Sequence, residues 1–164
     1  MCAPPGRRRL VRVGSLTEEE KMTDSRTVAE RLFEIMDSHR WADVETVLHA
    51  DAEMSSPFGD RLSVAAWLDV NRSFAVACPD GRHTLSVVVD DGERTAIEGT
   101  WTGTQTGPMA GPGGEIPPTG RSVVLPFCAI ATLRGDRIAA VTVHLDQMTM
   151  LGQLGLLPEP TPAH

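Results

Sequence analysis

The stretch that decides the fold is Arg121–Leu145, RSVVLPFCAIATLRGDRIAAVTVHL: two β-rich runs separated by Gly135-Asp136. Glycine and aspartate side by side between alternating apolar runs mark a two-residue turn, so the runs pair as an antiparallel hairpin. Working back, Thr84–Val89 and Arg94–Gln105 repeat the pattern around Asp91-Gly92. The second half of the chain is therefore read as an antiparallel sheet. Between Gly103 and Gly120 the chain is rich in glycine and proline, which do not continue a ladder, and a long rim loop is expected there.

The first half carries a different period. Val28, Leu32, Ile35 and Ala29, Phe33, Met36 recur at helical spacing, and Thr27-x-x-Glu30 has the form of a capping box. Trp41, Val44, Val47 and Leu48 predict a short second helix, followed by an extended Ala52–Pro57. A third helix starts near Ser63, places Trp67, Val70, Phe74 and Ala77 on one face, and stops before Pro79. Three N-terminal helices and a curved, mostly antiparallel sheet make an α+β fold, a cone in which helices cover one sheet face and a cavity lies between.

With 164 residues and 41% hydrophobic content the chain is long enough for one domain with its own core. Residues 1–22 mix prolines, arginines and glutamates without apolar period and read as a disordered tail, with Met22 as an alternative start. The folded domain is expected over residues 23–158 and a flexible tail over 159–164. A net charge of −7 disfavours nucleic acid as a partner. No apolar run approaches the ~18–20 residues that cross a bilayer, so a membrane partner is not expected. Cys2, Cys78 and Cys128 show no paired spacing and read as free thiols of a cytoplasmic protein.

Candidate chemistry concentrates at the end of the last β run. Alternation from Ile138 puts Ala140, Thr142, His144 and Asp146 on its face. If that face looks into the cavity, lost hydration raises the pKa of Asp146 and makes it a general base, with His144 as its partner. The competing reading turns the strand around and leaves both side chains in water. Trp67, Phe74 and Trp101, with Phe33 and Met54, are the expected apolar walls. His49-x-Asp51 falls short of the three or four ligands of a metal site, so no metal is expected. His83 sits beside Asp80-Gly81-Arg82 and reads as part of a solvated turn. Glycine-rich phosphate loops and the GxSxG elbow are missing. The tyrosine count of zero excludes a phenolic oxyanion donor.

The motifs Pro79-Asp80-x-Arg82, Thr102-Gly-Thr-Gln-Thr-Gly107, Pro118-Thr-Gly-Arg121, Gly135-Asp-Arg-Ile138 and Asp146 followed by Met150-Leu-Gly-Gln-Leu-Gly155 run in a specific order. Over residues 26–158 the chain resembles the SnoaL-like polyketide cyclases, or ester cyclases, of the NTF2-like superfamily. The resemblance implies a homodimer without metal or organic cofactor, acting on a hydrophobic, carbonyl-rich small molecule. It also implies that Asp146 holds the position of the aspartate that serves as acid/base in the aldol closure of a polyketide ester. One departure is Gln105, where many relatives carry a histidine; glutamine hydrogen-bonds but exchanges no proton, which makes it a substrate-binding candidate only. A non-catalytic small-molecule binding protein, an isomerase or hydrolase on the same fold, and a purely structural dimerisation module are the alternatives.

Overall fold

Local chemistry sets the hairpins. Gly135 takes φ 68° in the two-residue turn between β7 (Ser122–Arg134) and β8 (Arg137–Leu145). The turn between β3 (Arg82–Asp90) and β4 (Arg94–Thr104) is one residue longer than its sequence suggests. There the Asp91 carboxylate accepts the Glu93 and Arg94 amides, at 3.0 and 2.7 Å, and holds an extra residue in the bend. In the helical half, Ser63 caps α2 (Val64–Ala77) by accepting the Ala66 amide. Helix α1 (Ser25–Asp37) already includes Thr27, so the expected capping box lies inside the helix, and Glu30 pairs with Arg26 instead. The second expected helix is a single 3-10 stretch, Trp41–Thr46.

The computed structural model describes residues 25–111 and 114–157. The expected tails, 1–22 and 159–164, and the alternative start at Met22 lie outside the described residues. The strands β1 (Leu48–Ser56) and β2 (Gly59–Leu62) complete a six-stranded sheet in the order β2-β1-β8-β7-β4-β3. All its pairs are antiparallel except β1 with β8, which is parallel. The fold is α+β as the sequence predicts, with two corrections. Helices do not fill the first half, because β1 and β2 lie between the 3-10 stretch and α2. A last helix, α3 (Gln147–Leu154), follows β8.

Helices α1 and α2 lie over one face of the sheet, and Ile35, Leu48, Met54, Ile97 and Ile138, each at most 2% exposed, fill the space between. The rim segment expected as loop carries its own two-stranded ladder, β5 (Met109–Gly111) with β6 (Gly114–Ile116). It is strapped to the end of α2, where the Thr106 and Gly107 amides both donate to the Ala77 carbonyl at 3.0 Å. Only glycine fits at 107, since a Cβ there would stand 2.1 Å from the Val76 carbonyl oxygen. Beyond Phe127, β7 has lost its neighbour β8, and the Gln153 amide of α3 satisfies that free edge by bonding both Val124 N–H (2.7 Å) and Val124 C=O (2.9 Å).

Candidate functional site

The cavity lies between the helices and the concave sheet face, with a volume of about 130 Å³. Trp67 and Phe74 reach it from α2, Phe33 from α1, and Trp101 from β4. These four expected walls are brought together. The far wall is Phe127 of β7 with Val141, Val143 and Leu145 of β8. Against this lining stand only three polar residues: Ser56, Asn71 and His83.

His83 is the one titratable side chain in the lining. It enters because inward positions of β3 alternate, and it sits where the last turn of α1 crosses the strand. Asp37, the final residue of α1, receives both hydrogens that His83 offers on that side: the backbone N–H at 2.9 Å to Oδ2 and ring Nδ1 at 2.6 Å to Oδ1. An ionised carboxylate only accepts, so Nδ1 is the donor, and in the neutral ring this tautomer leaves the lone pair on Nε2. The imidazole is clamped on its other sides by Phe33 (centroids 5.0 Å, 60°) and Phe127 (5.5 Å, 90°). Its side chain is 21% exposed and that of Asp37 20%. Asn71 is fixed by donating its amide to the Trp67 carbonyl at 2.8 Å. The arrangement can hold a neutral ring against an oriented imidazole.

The expected base does not face this cavity. Asp146 is exposed; it caps α3, accepting the Met148 amide at 2.9 Å, the Thr149 amide at 3.3 Å and the Thr149 hydroxyl at 2.7 Å. The Thr149 hydroxyl first, and then the two backbone amides, hold its carboxyl below the ordinary carboxylate value, opposite to the rise expected from burial. His144 is exposed on the outer sheet face, across from Cys128. The physical reason is a β-bulge. Leu133 pairs with Ile138 and Thr132 with Ala140, so Ala139 has no counterpart on β7. One extra residue inverts the alternation after Ile138, and Val141, Val143 and Leu145 turn inward instead of Thr142, His144 and Asp146.

Two further expectations move. Met54 is 1% exposed in the core and does not line the cavity. Gln105 is fully buried, yet outside the cavity, and its amide closes the rim segment. Nε2 donates to the Gly107 and Pro117 carbonyls, each at 3.2 Å, and Oε1 accepts the Thr119 amide at 3.2 Å and hydroxyl at 2.7 Å. All four hydrogen-bonding capacities of the amide are used.

Sequence reasoning missed His83, Asp37 and Asn71 as a group. Each carried a signal: Asp37 follows Phe33 by four residues and Asn71 follows Trp67 by four, so both stand on helix faces already marked apolar. His83 shares strand parity with the inward Leu85. Burial pushes the Cys78 thiol up to about 11, with the Asp80 charge adding to it, which leaves that thiol protonated and unreactive. At His49 the ring Nε2 meets the Arg134 carbonyl oxygen at 2.6 Å, while Asp51 pairs with the Arg134 guanidinium. Among the described residues no three His, Cys, Asp or Glu side chains gather as metal ligands, and no helix is long and apolar enough to cross a membrane.

Comparison with known proteins gives a family match over residues 26–154 to SnoaL-like polyketide cyclase. IdmH from Streptomyces antibioticus, provisionally described as a polyketide cyclase, superposes with a TM-score of 0.70 at 25% identity, over 80% of this chain and 98% of that one. A SnoaL-like polyketide cyclase from Agrobacterium tumefaciens gives 0.67 at 18% identity, over 82% and 100%. AclR from Streptomyces galilaeus, provisionally described as a hydroxylase, gives 0.71 at 17% identity, over 84% and 100%. No curated protein matches the chain.

Proposed function

Because the chain belongs to the SnoaL-like polyketide cyclase family, we propose that it closes a ring by acid/base chemistry on a neutral, carbonyl-rich small molecule, with His83 as the base. The observation that carries this reading is an imidazole held by Asp37 at 2.6 Å in the wall of an otherwise apolar cavity. The lining holds no cationic side chain, so an anionic group would lose its hydration there without compensation. Substrate is therefore uncharged where it enters the cavity.

The steps follow from the geometry. Nε2 takes a proton from a carbon between two carbonyls, and the carbanion delocalises onto their oxygens. Ionised Asp37 stabilises the imidazolium that forms and keeps it from rotating, as a carboxylate behind a catalytic histidine does. The enolate carbon then attacks a carbonyl carbon of the same molecule; a C–C bond forms, the π pair moves to oxygen, and Nε2–H returns the proton to that oxygen. Substrate and product are isomers, and the protein regains its starting state. Asn71, fixed through Trp67, offers its remaining amide capacity to a substrate oxygen. Rigid apolar walls supply orientation, which is a large share of what an intramolecular closure needs.

We also assign the uncovered outer face of the sheet to a second copy of the chain. Val89, Val124 and Ile130 stand 40–54% exposed on this face, around the small side chains of Ala96 and Cys128. Cys78 and Cys128, both unpaired among the described residues, agree with a reducing cytoplasm.

The test begins with compounds extracted from the purified protein and identified by mass spectrometry, which are then returned to wild type and to His83→Gln and Asp37→Asn. Wild type is expected to yield a product of unchanged mass. Loss of the base should cut turnover by roughly 10²–10⁴-fold while the ligand still binds. Undiminished turnover in His83→Gln would remove His83 as the base. A ligand recovered unchanged from wild type would identify a binding protein instead.

A further inference from the structure

The three polar residues in the lining of the main cavity do not stand together. His83 and Asn71 also line a second, smaller hollow, whereas Ser56 belongs to the main cavity alone. His83 comes from β3, at one edge of the sheet, and Ser56 ends β1, with β8, β7 and β4 between the two strands. Those intervening strands supply the apolar side chains of Phe127, Val143 and Leu145. The cavity therefore has one polar end at His83 and Asn71, another at Ser56, and hydrocarbon between.

Ser56 faces inward by strand parity. Met54 and Ala52, two and four residues before it on β1, are buried in the core. The ladder of β1 with β2 is irregular between the pairs Met54–Leu62 and Ser56–Gly59, but its extra residue falls on β2, where Arg61 takes φ 49°, so the alternation of β1 survives. The turn that follows orients the hydroxyl: Ser56 Oγ accepts the Phe58 amide at 3.2 Å, and the Phe58 ring, also in the lining, tilts against Phe74 at 4.8 Å. A hydroxyl has one hydrogen and two lone pairs. The amide uses a lone pair, and no described residue accepts the hydrogen. Holding the turn employs only the oxygen; the hydrogen remains for a guest.

We infer that Ser56 is a specificity-determining residue, whose hydroxyl donates to a carbonyl oxygen of the substrate remote from the carbon that His83 deprotonates. This deepens the reading of the main cavity as the substrate site and rests on it. The substrate is then a neutral compound with an acceptor oxygen at the end away from its acidic carbon. An analogue without that oxygen expels water from Ser56 and leaves its hydrogen unmet, so it is bound less well.

Cyclohexanone and methylenecyclohexane test this. They are neutral, alike in shape and near the size of the benzene that a hollow of roughly 150 Å³ encloses, but only the ketone has an oxygen to accept. NMR titration of wild type and Ser56→Ala with each probe gives the ratio of the two dissociation constants. In Ser56→Ala the ratio is expected to move about three- to tenfold against the ketone, the span of one neutral hydrogen bond. If Ser56→Ala does not fold, Ser56→Cys, a weaker donor of similar shape, is read in the same way. A serine that only fixes the turn would, when lost, loosen the Phe58 wall and weaken both probes alike; an unchanged ratio therefore overturns the assignment. A ratio that moves in Asn71→Ala and not in Ser56→Ala also overturns it, because the carbonyl then sits at the other end. So does a wild type that binds the alkene and not the ketone. Each of these results leaves the main cavity standing. If wild type binds neither probe, the reading of the main cavity falls, and the role of Ser56 with it.

Discussion

Replacing Gln105 by glutamate exchanges one NH₂ group for oxygen and leaves the shape of the side chain intact. In the folded protein that nitrogen donates to the carbonyls of Gly107 and Pro117, inside a site with no exposure to solvent. A carboxylate has no hydrogen for either. An orphaned buried acceptor costs ~1–3 kcal/mol, so two cost ~2–6, and desolvating the new charge adds to the loss. Stronger bonds from Thr119 to a charged oxygen return part of this, and a net loss of ~3 kcal/mol at pH 8 is expected. The loss has a pH signature. The buried carboxyl holds its proton more tightly in the folded than in the unfolded chain, where its pKa is ~4.3. Stability of the variant therefore falls as pH rises from that value through the raised folded value. At pH 5 the protonated acid regains one donor, and about half the penalty should vanish. Urea unfolding of wild type and Gln105→Glu at pH 5 and pH 8 measures both quantities. A loss below ~1 kcal/mol at pH 8, or equal losses at the two pH values, would refute the reading of Gln105 as a saturated clamp.

Two other outcomes follow from the same structure. Asp146→Asn keeps an N-cap acceptor, so turnover and stability near neutral pH should both survive; a collapse of turnover with an intact fold would return Asp146 to the chemistry. Because its folded pKa is lowered from 3.8, the stabilisation that the Asp146 carboxylate gives α3 is present above 3.8 and is lost as pH falls through the folded value. In Asp146→Asn that part of the acid sensitivity should disappear, measured as helical circular dichroism against pH. Thr95 is fully buried and its hydroxyl has no partner among the described residues. Thr95→Val removes the orphaned group at nearly constant shape, and chemical denaturation should show stabilisation of ~1 kcal/mol or more, where a loss would mean the hydroxyl is satisfied.

The β7–β8 turn, the start of α2 and its apolar face belong to local chemistry, and the sequence by itself determined them. Gly135 permits the left-handed turn, Ser63 caps α2, and Trp67 and Phe74 recur on one helical face, so each is set by neighbours a few residues away. The walls of the cavity were legible for that reason. The catalytic candidate was not, because its position depends on two events that leave no local trace. An unpaired Ala139 inverts the parity of β8 and sends Asp146 to a helix cap. Asp37 and His83, 46 residues apart, meet only because α1 crosses the concave face of β3. Alternation and helical period describe which residues share a face; which face is inward, and what stands opposite, is decided by the packing that buries it.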